Sequence, residues 1–428
     1  MKKLVKPSEI KGMLAAPASK SVAQRAIALA SLAKGKSEVL YPGTSDDVMA
    51  AINVCKALGA KIRIDDDKLL IEGGITAPEK PLHCGESGLG IRMFSSIAAT
   101  LNQPVTLTGG GTLTKRPMGI VEESIKALGA SCVCQQGFIP ITVQGPIKGG
   151  TVNVDGSHSS QVLTGLLMAT PLAKADTLIA VNNLQSKPYI DLTIKVMKEF
   201  GVNVENINYS EFKIKGNQKY KPSKHTVEGD WSGAAFLLVA GAIAGEVGVS
   251  NLNPMSKQAD RAIIEALMWT GAKISIQDNL VLCGKGELNA FHFDATHCPD
   301  LFPPLVALAA HCEGESRILG VSRLRVKESD RAATLQQEFA KLGINIEIDG
   351  ELMRVYGGKV KGGKVQSHGD HRIAMACAVA ALAADGEVEI DEAEAVGKSY
   401  PEFFDDLIAT NAQIFISFII VIFSAFAV

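Results

Sequence analysis

Basic side chains stand at the predicted starts of several helices, where they could bind anions. These positions are Lys20, Arg25, Arg92, Arg116, Lys187, Lys327, Arg331, Arg372 and Lys398. A helix N-terminus presents unpaired N–H groups and the positive end of the helix dipole, so it attracts anions. Because a cation at a helix start opposes the dipole and destabilises the helix, its presence there indicates a ligand-binding role rather than a role in helix stability. Any one of them alone could be a solvated surface charge. As a set they predict a ligand with several negative charges, most simply phosphates and a carboxylate.

Two carboxylates accompany these cations. Asp300 opens a predicted buried helix in HCPDLFPP, and Glu328 follows Lys327 in VKESDR. Carboxylates beside cations in a cleft can relay protons, although both could also be simple helix caps. His368 and His371 of SHGDHR could relay protons or bind a metal, but no third metal ligand stands near them. We therefore predict acid–base chemistry and no metal site.

Serine and glycine motifs narrow the chemistry further. Ser21, Ser159, Ser160 and Ser186 stand at predicted helix starts, where serine commonly serves as an N-cap. None lies in a G-x-S-x-G motif, which argues against a serine nucleophile. The glycine run at 109–111 has neither the dinucleotide-binding nor the Walker A spacing. We expect no nucleotide cofactor.

The elements that position these residues recur about every seventy residues. One helix per repeat ends in a glycine suited to the left-handed C′ position, with asparagine in the sixth copy: Gly59, Gly129, Gly201, Gly271, Gly343 and Asn411. The same helices are predicted to start near Thr44, Lys115, Ser186, Ser256, Lys327 and Lys398. A second helix, apolar nearly all round, starts near Lys20, Ser87, Ser159, Ser232, Asp300 and His371. Six copies of one unit are therefore predicted.

Short alternating strands and hairpins, such as KIRIDDDKLLIEG, complete each unit as β-α-β-α-β-β. We predict a mixed α/β (α+β) fold of two domains, each made of three such repeats around buried helices. The first domain is expected at 15–227 and the second at 1–14 plus 228–411. Two chain segments then cross between the domains and form a hinge that can close over a ligand.

Composition excludes several classes of protein. The 428 residues carry a formal net charge of −2 without a long Lys/Arg run, which gives nucleic-acid binding little support. None of the eight cysteines forms a C-x-x-C pair, so we expect reduced thiols in a cytoplasmic protein. The start, MKKLVKPSEIKG, lacks the apolar stretch of a secretory signal. We expect a monomer with no nucleic-acid or membrane partner.

The last residues are unusually apolar. Residues 414–428 read IFISFIIVIFSAFAV, which is short of the ~20 residues that a membrane helix needs. A buried strand or an atypical chain end is the favoured interpretation of the apolar tail at 412–428, with a membrane anchor as the third. We expect truncation after Asn411 to leave activity largely unchanged. Unfolding on truncation would instead identify a structural strand.

Eight motifs resemble those of the 5-enolpyruvylshikimate-3-phosphate (EPSP) synthase family, within the wider enolpyruvyl transferase family. They are SKSVAQR (19–25), TLTKRPMG (112–119), SSQ (159–161), SKPYIDLT (186–193), VEGDWSGAA (227–235), RVKESDR (325–331), DHRIAM (370–375) and GKSYPEFF (397–404). The resemblance runs in order from about residue 5 to 410. The fold it implies, two domains of three β-α-β-α-β-β units, agrees with the repeat count.

The resemblance implies transfer of the enolpyruvyl group of phosphoenolpyruvate to the 5-hydroxyl of shikimate-3-phosphate, with release of phosphate and without a metal or organic cofactor. It implies that shikimate-3-phosphate, held mainly by the first domain, is bound by Lys20, Ser21, Arg25, Ser159, Ser160, Gln161, Ser186, Tyr189, Asp300 and Lys327. Phosphoenolpyruvate is bound by Lys20, Gly88, Arg116, Gln161, Arg331, Arg372 and Lys398. The catalytic set is Lys20, Asp300, Lys327, Glu328 and His371. Asp300 handles the 5-hydroxyl proton, and Glu328 protonates and later deprotonates the methylene carbon.

The sequence departs from the family pattern in two places. The segment that usually reads NAGT is ESGL here, so Glu86 replaces asparagine and Leu89 replaces threonine, and Arg323 stands where asparagine is expected. These changes leave open the contacts of that segment and the sensitivity to inhibitors. The alternative activity on the same fold, enolpyruvyl transfer to UDP-N-acetylglucosamine, usually has a loop cysteine before the Arg-Pro pair. No cysteine is present in GGGTLTKRP. A non-catalytic anion-binding relative is the other alternative.

Overall fold

Helices of two kinds alternate along the chain. The computed structural model describes residues 1–157, 159–325 and 327–417. Within these ranges the α-helices are α1 (Lys20–Leu32), α2 (Asp46–Ala57), α3 (Gly88–Ala98), α4 (Gly119–Ala127), α5 (Gln161–Ala169), α6 (Lys187–Glu199), α7 (Trp231–Ala244), α8 (Ile263–Thr270), α9 (Phe302–Ala310), α10 (Arg331–Lys341), α11 (His371–Ala381) and α12 (Phe403–Ala409). Odd-numbered helices are almost wholly buried, and even-numbered helices bury one face. This alternation is the predicted pairing of one apolar helix with one amphipathic helix per unit.

The strands are short and number four in each sheet among the described residues. They are β1 (Lys3–Val5), β2 (Ile10–Ala15), β3 (Gly35–Leu40), β4 (Lys61–Asp65), β5 (Lys68–Gly73), β6 (Leu82–His83), β7 (Val105–Thr108), β8 (Ser131–Gln135), β9 (Phe138–Gln144), β10 (Gly150–Asp155), β11 (Thr177–Asn182), β12 (Glu205–Ile207), β13 (Glu211–Ile214), β14 (Lys224–Thr226), β15 (Gly245–Ser250), β16 (Lys273–Ile276), β17 (Leu280–Gly284), β18 (His292–Asp294), β19 (Glu315–Leu319), β20 (Asn345–Asp349), β21 (Leu352–Tyr356), β22 (Gly363–Gln366), β23 (Val388–Asp391) and β24 (Ile414–Ile416).

Six sheets repeat one topology, which confirms the predicted mixed α/β fold. Their orders are β14-β3-β5-β4, β6-β7-β9-β8, β10-β11-β13-β12, β2-β15-β17-β16, β18-β19-β21-β20 and β22-β23-β1-β24. In each sheet the first two strands are parallel and the remaining pairs are antiparallel. A parallel pair needs a crossover connection, and in most units a buried helix provides it.

The helix ends are as the glycine pattern predicts. All five glycines at the predicted C′ positions have φ between 79° and 99°, and Asn411 has φ 74°. Asparagine tolerates the left-handed region better than other residues with a side chain, which explains why it can replace glycine in the sixth unit. Gly165 of α5 has a different role, because a Cβ there would lie 2.7 Å from the carbonyl oxygen of Arg92 on α3. Because glycine has no Cβ, the buried helices α3 and α5 can pack closely at this point.

Four of the predicted starts of the outer helices are too early. α4, α8, α10 and α12 begin at Gly119, Ile263, Arg331 and Phe403, after 3-10 or irregular segments at the predicted positions. Proline explains two of these errors: Pro117 and Pro401 disfavour helical backbone at the residue before them. At α10 the side chain of Asp330 accepts from the amide of Ala333, which sets the start. Lys327 and Lys398 therefore lie on connecting segments rather than at helix starts.

The buried apolar residues form two separate clusters. One extends from Val22 to Val227, and the other combines residues 5–16 with residues 231–414. The chain passes between them near Ala18 and Gly229, where the two crossing segments form an antiparallel bridge. No helix within the described ranges is both long enough and apolar enough to cross a membrane.

The first residues of the apolar tail form a strand. β24 pairs antiparallel with β1, so that Ile414 faces Val5, and Ile414 is buried. Of the two favoured interpretations of the tail, a strand is therefore what the structure shows at Ile414–Ile416. Residues 418–428 lie outside the described residues.

We expect a chain that ends after Asn411 to be less stable than one that ends after Ser417, by roughly 2 kcal/mol. The estimate corresponds to loss of one buried isoleucine and of an edge-strand pairing. Chemical denaturation of both truncated proteins measures the difference. Equal midpoints would show that β24 contributes nothing. Because β24 does not line the cleft described below, the turnover of each folded molecule is expected to be unchanged.

Candidate active site

The predicted site residues meet in one cleft between the two apolar clusters. The cleft has a volume of about 450 Å³, within the range of small-molecule sites. It is lined by the predicted residues Lys20, Ser21, Arg25, Gly88, Arg116, Ser159, Ser160, Gln161, Ser186, Tyr189, Asp300, Lys327, Glu328, Arg331, His371 and Arg372. Lys398 lines an adjoining cavity that shares Arg116, Lys327 and Glu328 with the cleft. Among the described residues, chain folding thus brings residues from five of the six repeats to one place, the fourth repeat being absent from the lining.

Asp300 is the centre of a cluster of cations. Its Oδ1 accepts from Lys327 Nζ at 3.1 Å and from Arg331 Nη1 at 2.8 Å, and its Oδ2 accepts from Arg372 Nη2 at 3.3 Å. Burial alone would raise the pKa of Asp300, but the three positive charges outweigh it and hold that pKa well below its usual range. The carboxylate is therefore ionised and can accept a proton. Burial lowers the pKa of Lys327.

Glu328 joins the two halves of the cleft. It accepts from Arg331 Nη2 at 2.5 Å and lies 3.2 Å from Arg116 Nη2, which belongs to the first half. Burial favours the protonated form, but Arg331 and Arg116 together hold the pKa of Glu328 well below its usual range. An anionic ligand bound to these two arginines would compete with Glu328 for them and raise its pKa. The side chain can thus change from base to acid when ligand binds.

Asp370 belongs to the same charge cluster, although it was not among the predicted site residues. It is fully buried, and it accepts from Arg331 Nε at 2.7 Å and from Arg331 Nη2 at 3.2 Å. Ser329 Oγ and the amide of Arg372 donate to the same carboxylate. Asp370 therefore caps α11 and orients Arg331 at the same time. In the sequence, Asp370 was signalled only as the first residue of the DHRIAM motif, directly before His371 and Arg372.

We expect Asp370→Asn to lower the free energy of unfolding by roughly 2 kcal/mol, because the buried Arg331 guanidinium loses one of its three carboxylate partners, the one that is fully buried. The shift of the urea midpoint measures this loss. Asp349→Asn is the matched control, since Asp349 is exposed and lies 3.4 Å from the partly exposed Arg354. An Asp370 variant as stable as this control would show that the pair contributes nothing to the fold.

The first half contributes hydroxyl groups around α5 and α6. Ser159 Oγ accepts from the amide of Gln161, and Ser160 directly precedes α5. Ser186 has φ 55°, the left-handed region, which is strained for serine, and its side chain does not cap α6. Its hydroxyl lines the cleft instead. Such strain at a cleft is typical of a binding residue.

The remaining predicted residues are also held by neighbours. Arg25 is buried, and its nitrogens donate to Thr193 Oγ1, the Ser21 carbonyl and Thr164 Oγ1, so much of its donor capacity is used inside the protein. Tyr189 donates to Asp260 of the second half at 3.1 Å. Gln161 Oε1 accepts from Arg92 Nη1 at 2.9 Å. Arg92 itself was not assigned to a ligand.

Lys20 is the first residue of α1 and is paired at the rim of the cleft. Its Nζ donates to Asp47 Oδ2 at 3.0 Å, which orients the ammonium group. Gly88, the first residue of α3, lies against Arg116, and a Cβ there would come within 2.5 Å of Arg116 Nη1. Glycine therefore leaves room for the guanidinium at this point.

His371 is 1% exposed, and within the described chain neither ring nitrogen has a hydrogen-bond partner. Burial, followed by the charges of Lys20 and Arg372, holds the pKa of His371 well below its usual range, so the ring is neutral. His368 instead pairs with Glu338 at 2.8 Å, away from His371. Among the described residues no group of three or more His, Cys, Asp or Glu is placed to hold a metal ion.

The departures from the family pattern lie on or beside the cleft. Glu86 accepts from Lys398, with Oε2 2.7 Å from its Nζ, and it also accepts from the amide of Thr112. Burial would raise the pKa of Glu86, but the bonds from Lys398 and Thr112 lower it overall. Leu89 is buried in α3. Arg323 reaches across the cleft and donates from Nη2 to Ser186 Oγ at 3.1 Å.

The six-sheet fold, with a cation-lined cleft between its halves, is also found in solved structures of other proteins. It is shared with the enolpyruvyl transferase NikO of Streptomyces tendae, at a TM-score of 0.78 and 16% identity over 97% of this chain and 98% of that one. The profile of the family described as EPSP synthase (3-phosphoshikimate 1-carboxyvinyltransferase) matches residues 4–407, so the chain belongs to that family. This confirms the resemblance drawn from the motifs.

Two relatives of this family can be compared directly. The 3-phosphoshikimate 1-carboxyvinyltransferase of Clostridium perfringens is 40% identical over 413 residues, which cover 95% of this chain and 97% of the relative. The crystal structure of EPSP synthase from Acinetobacter baumannii is 27% identical, with a TM-score of 0.82 over 97% of this chain and 100% of that one. The similarity therefore extends over nearly the whole chain.

Proposed function

We propose that the cleft between the two apolar clusters transfers the enolpyruvyl group of phosphoenolpyruvate to the 5-hydroxyl of shikimate-3-phosphate, with release of phosphate. This is the reaction of the family to which the chain belongs, a step of the shikimate pathway toward the aromatic amino acids. One observation supports it most strongly. Two ionised carboxylates, Asp300 and Glu328, lie in a cluster of four cations in one cleft.

The first half is proposed to hold most of the acceptor. Hydroxyl donors stand at the starts of α5 and α6, from Ser159 and Ser160 at α5 and from Ser186 at α6. Several converging hydroxyl donors suit the oxygens of a phosphate. Ser21, Arg25 and Tyr189 line the same side, and Gln161 lies toward the second substrate. Because most Arg25 donors already bond within the protein, we propose that Arg25 acts on the ligand chiefly through its positive charge.

Phosphoenolpyruvate is proposed to bind between the two halves. Arg331 and Arg372 present guanidinium groups suited to a carboxylate, and Arg116 and Lys398 suit its phosphate. Gly88 lets the substrate and Arg116 approach the start of α3. Lys20, at the start of α1, is proposed to lie near both substrates.

The chemistry is an addition followed by an elimination. When phosphoenolpyruvate engages Arg116 and Arg331, Glu328 loses part of its pairing, its pKa rises, and it takes up a proton from solvent. The 5-oxygen of the acceptor then bonds to C2 of phosphoenolpyruvate while Asp300 takes the hydroxyl proton and Glu328 supplies its proton to C3. The resulting tetrahedral intermediate then loses a proton from C3 to Glu328, and the C2–O bond to phosphate breaks. Lys20, Lys327 and neutral His371 are proposed to stabilise the departing phosphate and the developing charge. No step requires a metal or organic cofactor.

The two apolar clusters are proposed to be two domains, 15–227 and 1–14 plus 228–411, that close over the substrates. Contacts across the cleft, such as Arg116 with Glu328 and Lys398 with Glu86, belong to the closed arrangement. Closure excludes water and strengthens each charge contact. Because the small-molecule reaction requires no partner chain, we propose a cytoplasmic monomer. The eight cysteines, all unpaired and buried, fit a reducing compartment.

Phosphate release from phosphoenolpyruvate, measured with and without shikimate-3-phosphate, tests the proposal. We expect release only when both substrates are present, accompanied by the enolpyruvyl ether product. If no phosphate is released with both substrates present, the proposed enzymatic activity is wrong. Release that depends on UDP-N-acetylglucosamine instead would assign the alternative activity.

A further inference from the structure

Arg323 is a buried cation with unused donors. It lies on the short 3-10 helix Val321–Leu324 of the second half and is 5% exposed. Nη2 donates to Ser186 Oγ, but within the described chain Nε and Nη1 are buried without a hydrogen-bond partner. Leaving two guanidinium nitrogens buried and unpaired is costly. An acceptor is therefore missing from its surroundings.

The surroundings of Arg323 indicate that the missing acceptor is an anion. Arg323 lines the cleft together with the hydroxyls of Ser159, Ser160 and Ser186. Arg323 donates to the hydroxyl of Ser186 in the first half. Because that hydroxyl accepts this bond, its own proton remains free to donate to a ligand. A group that accepts from both the Ser186 hydroxyl and the Arg323 guanidinium must carry several oxygen acceptors. A phosphate monoester meets this requirement.

A second residue of the same half supports this placement. His297 Nδ1 accepts from the backbone amide of Ser186 at 3.2 Å. Burial, followed by the charges of Lys187 and Arg323, lowers the pKa of His297, so the ring is neutral and can accept. Ser186 is thus held from the second half at both its amide and its hydroxyl. The strained serine is positioned by the opposite side of the cleft.

We propose that Arg323 is a further acceptor-binding residue, which donates to the 3-phosphate of shikimate-3-phosphate from the second half. This inference rests on the proposed function. Binding of the 3-phosphate is then shared between the halves: hydroxyls come from the first and the Arg323 guanidinium from the second.

Steady-state kinetics of Arg323→Met test this assignment. Methionine keeps the apolar stem and removes every donor. We expect the KM for shikimate-3-phosphate to rise about thirtyfold, as for loss of charge-assisted hydrogen bonds. The KM for phosphoenolpyruvate is expected to stay within about threefold. With unphosphorylated shikimate as acceptor, kcat/KM is expected to change less than about threefold, because that acceptor has no phosphate for Arg323 to bind.

Thermal unfolding gives a readout that does not depend on turnover. Because the unliganded protein buries unpaired donors at a cost, Arg323→Met is expected to melt at or above the wild-type temperature. Stabilisation by added shikimate-3-phosphate is expected to shrink, whereas stabilisation by phosphoenolpyruvate is kept. Arg317→Met is the matched control, since Arg317 is half exposed and pairs with Glu315. It is expected to behave as wild type in both assays.

Several results would overturn the assignment. In an active wild-type background, an unchanged KM for shikimate-3-phosphate in Arg323→Met would do so. An equal loss of kcat/KM with both acceptors would also overturn it, because it would indicate a structural role alone. If Arg323→Met does not fold, Arg323→Lys keeps the charge, and wild-type binding of shikimate-3-phosphate by that variant would argue against recognition through the guanidinium fork. An inactive wild-type enzyme would instead reject the proposed function.

Discussion

Asp300→Asn is expected to lower kcat about 10²- to 10⁴-fold, the usual contribution of a positioned general base. Asparagine keeps the size and one oxygen acceptor of the side chain, but it cannot take the proton of the attacking hydroxyl. The three cations around Asp300 hold its pKa so low that the wild-type carboxylate stays ionised at neutral pH. The loss should therefore appear across the neutral pH range rather than only at its acidic end.

The kcat of Asp300→Asn, measured with both substrates saturating, checks this expectation. Asp349→Asn is the control, because that carboxylate is exposed, pairs with Arg354 and does not line the cleft. The KM values are expected to change much less than kcat. A kcat within tenfold of wild type would show that another group takes the proton. The Asp300 carboxylate would then serve only to pair with the Lys327, Arg331 and Arg372 side chains and fix their positions.

Lys20→Met is expected to lower kcat/KM for phosphoenolpyruvate about 10²- to 10³-fold, as when one preorganised donor to a developing charge is removed. The ammonium group is oriented by Asp47 and lines the cleft with the predicted ligands of both substrates. Methionine matches the length of the stem, so packing is retained while the charge is lost. The remaining Asp47 carboxylate adds a repulsion that the anionic substrate must overcome.

Kinetics with each substrate varied in turn measure the effect. Lys11→Met provides the comparison, since Lys11 is exposed and its ion pair with Glu246 is long, at 3.6 Å. The urea midpoint of Lys20→Met separates loss of chemistry from loss of fold. Activity within tenfold of wild type in a stable Lys20→Met protein would remove Lys20 from the proposed mechanism.

The repeat could be predicted from the sequence because its signals are local. A glycine at C′ is needed wherever a helix ends in the left-handed region, so Gly59 and Gly343 are informative without any knowledge of their neighbours. The all-round apolar helices are likewise a property of each segment. The starts of the outer helices were less predictable, because a proline or a capping aspartate a few residues later moved the first turn.

The cations that line the cleft could also be predicted, since matching positions in several repeats carry them. Asp370 and Arg323 could not be ranked in the same way. Asp370 looks like an ordinary N-cap until Arg331, 39 positions earlier in the chain, is placed against it. Arg323 looks like a surface arginine until Ser186, 137 positions earlier, is brought to its side. Their importance depends on contacts between distant segments.

The sequence by itself thus determined the six units, the mixed α/β class, the family and the positions of most candidate ligands, because each is written in short-range patterns of glycine, apolar and charged residues. Only the tertiary structure decided how the units share one cleft, that Glu328 and Arg323 reach across it, and that neighbouring cations hold the pKa values of Asp300 and Glu328 low. Those properties follow from burial and from charge pairs between segments far apart in the chain. Both depend on distances that a linear pattern does not contain.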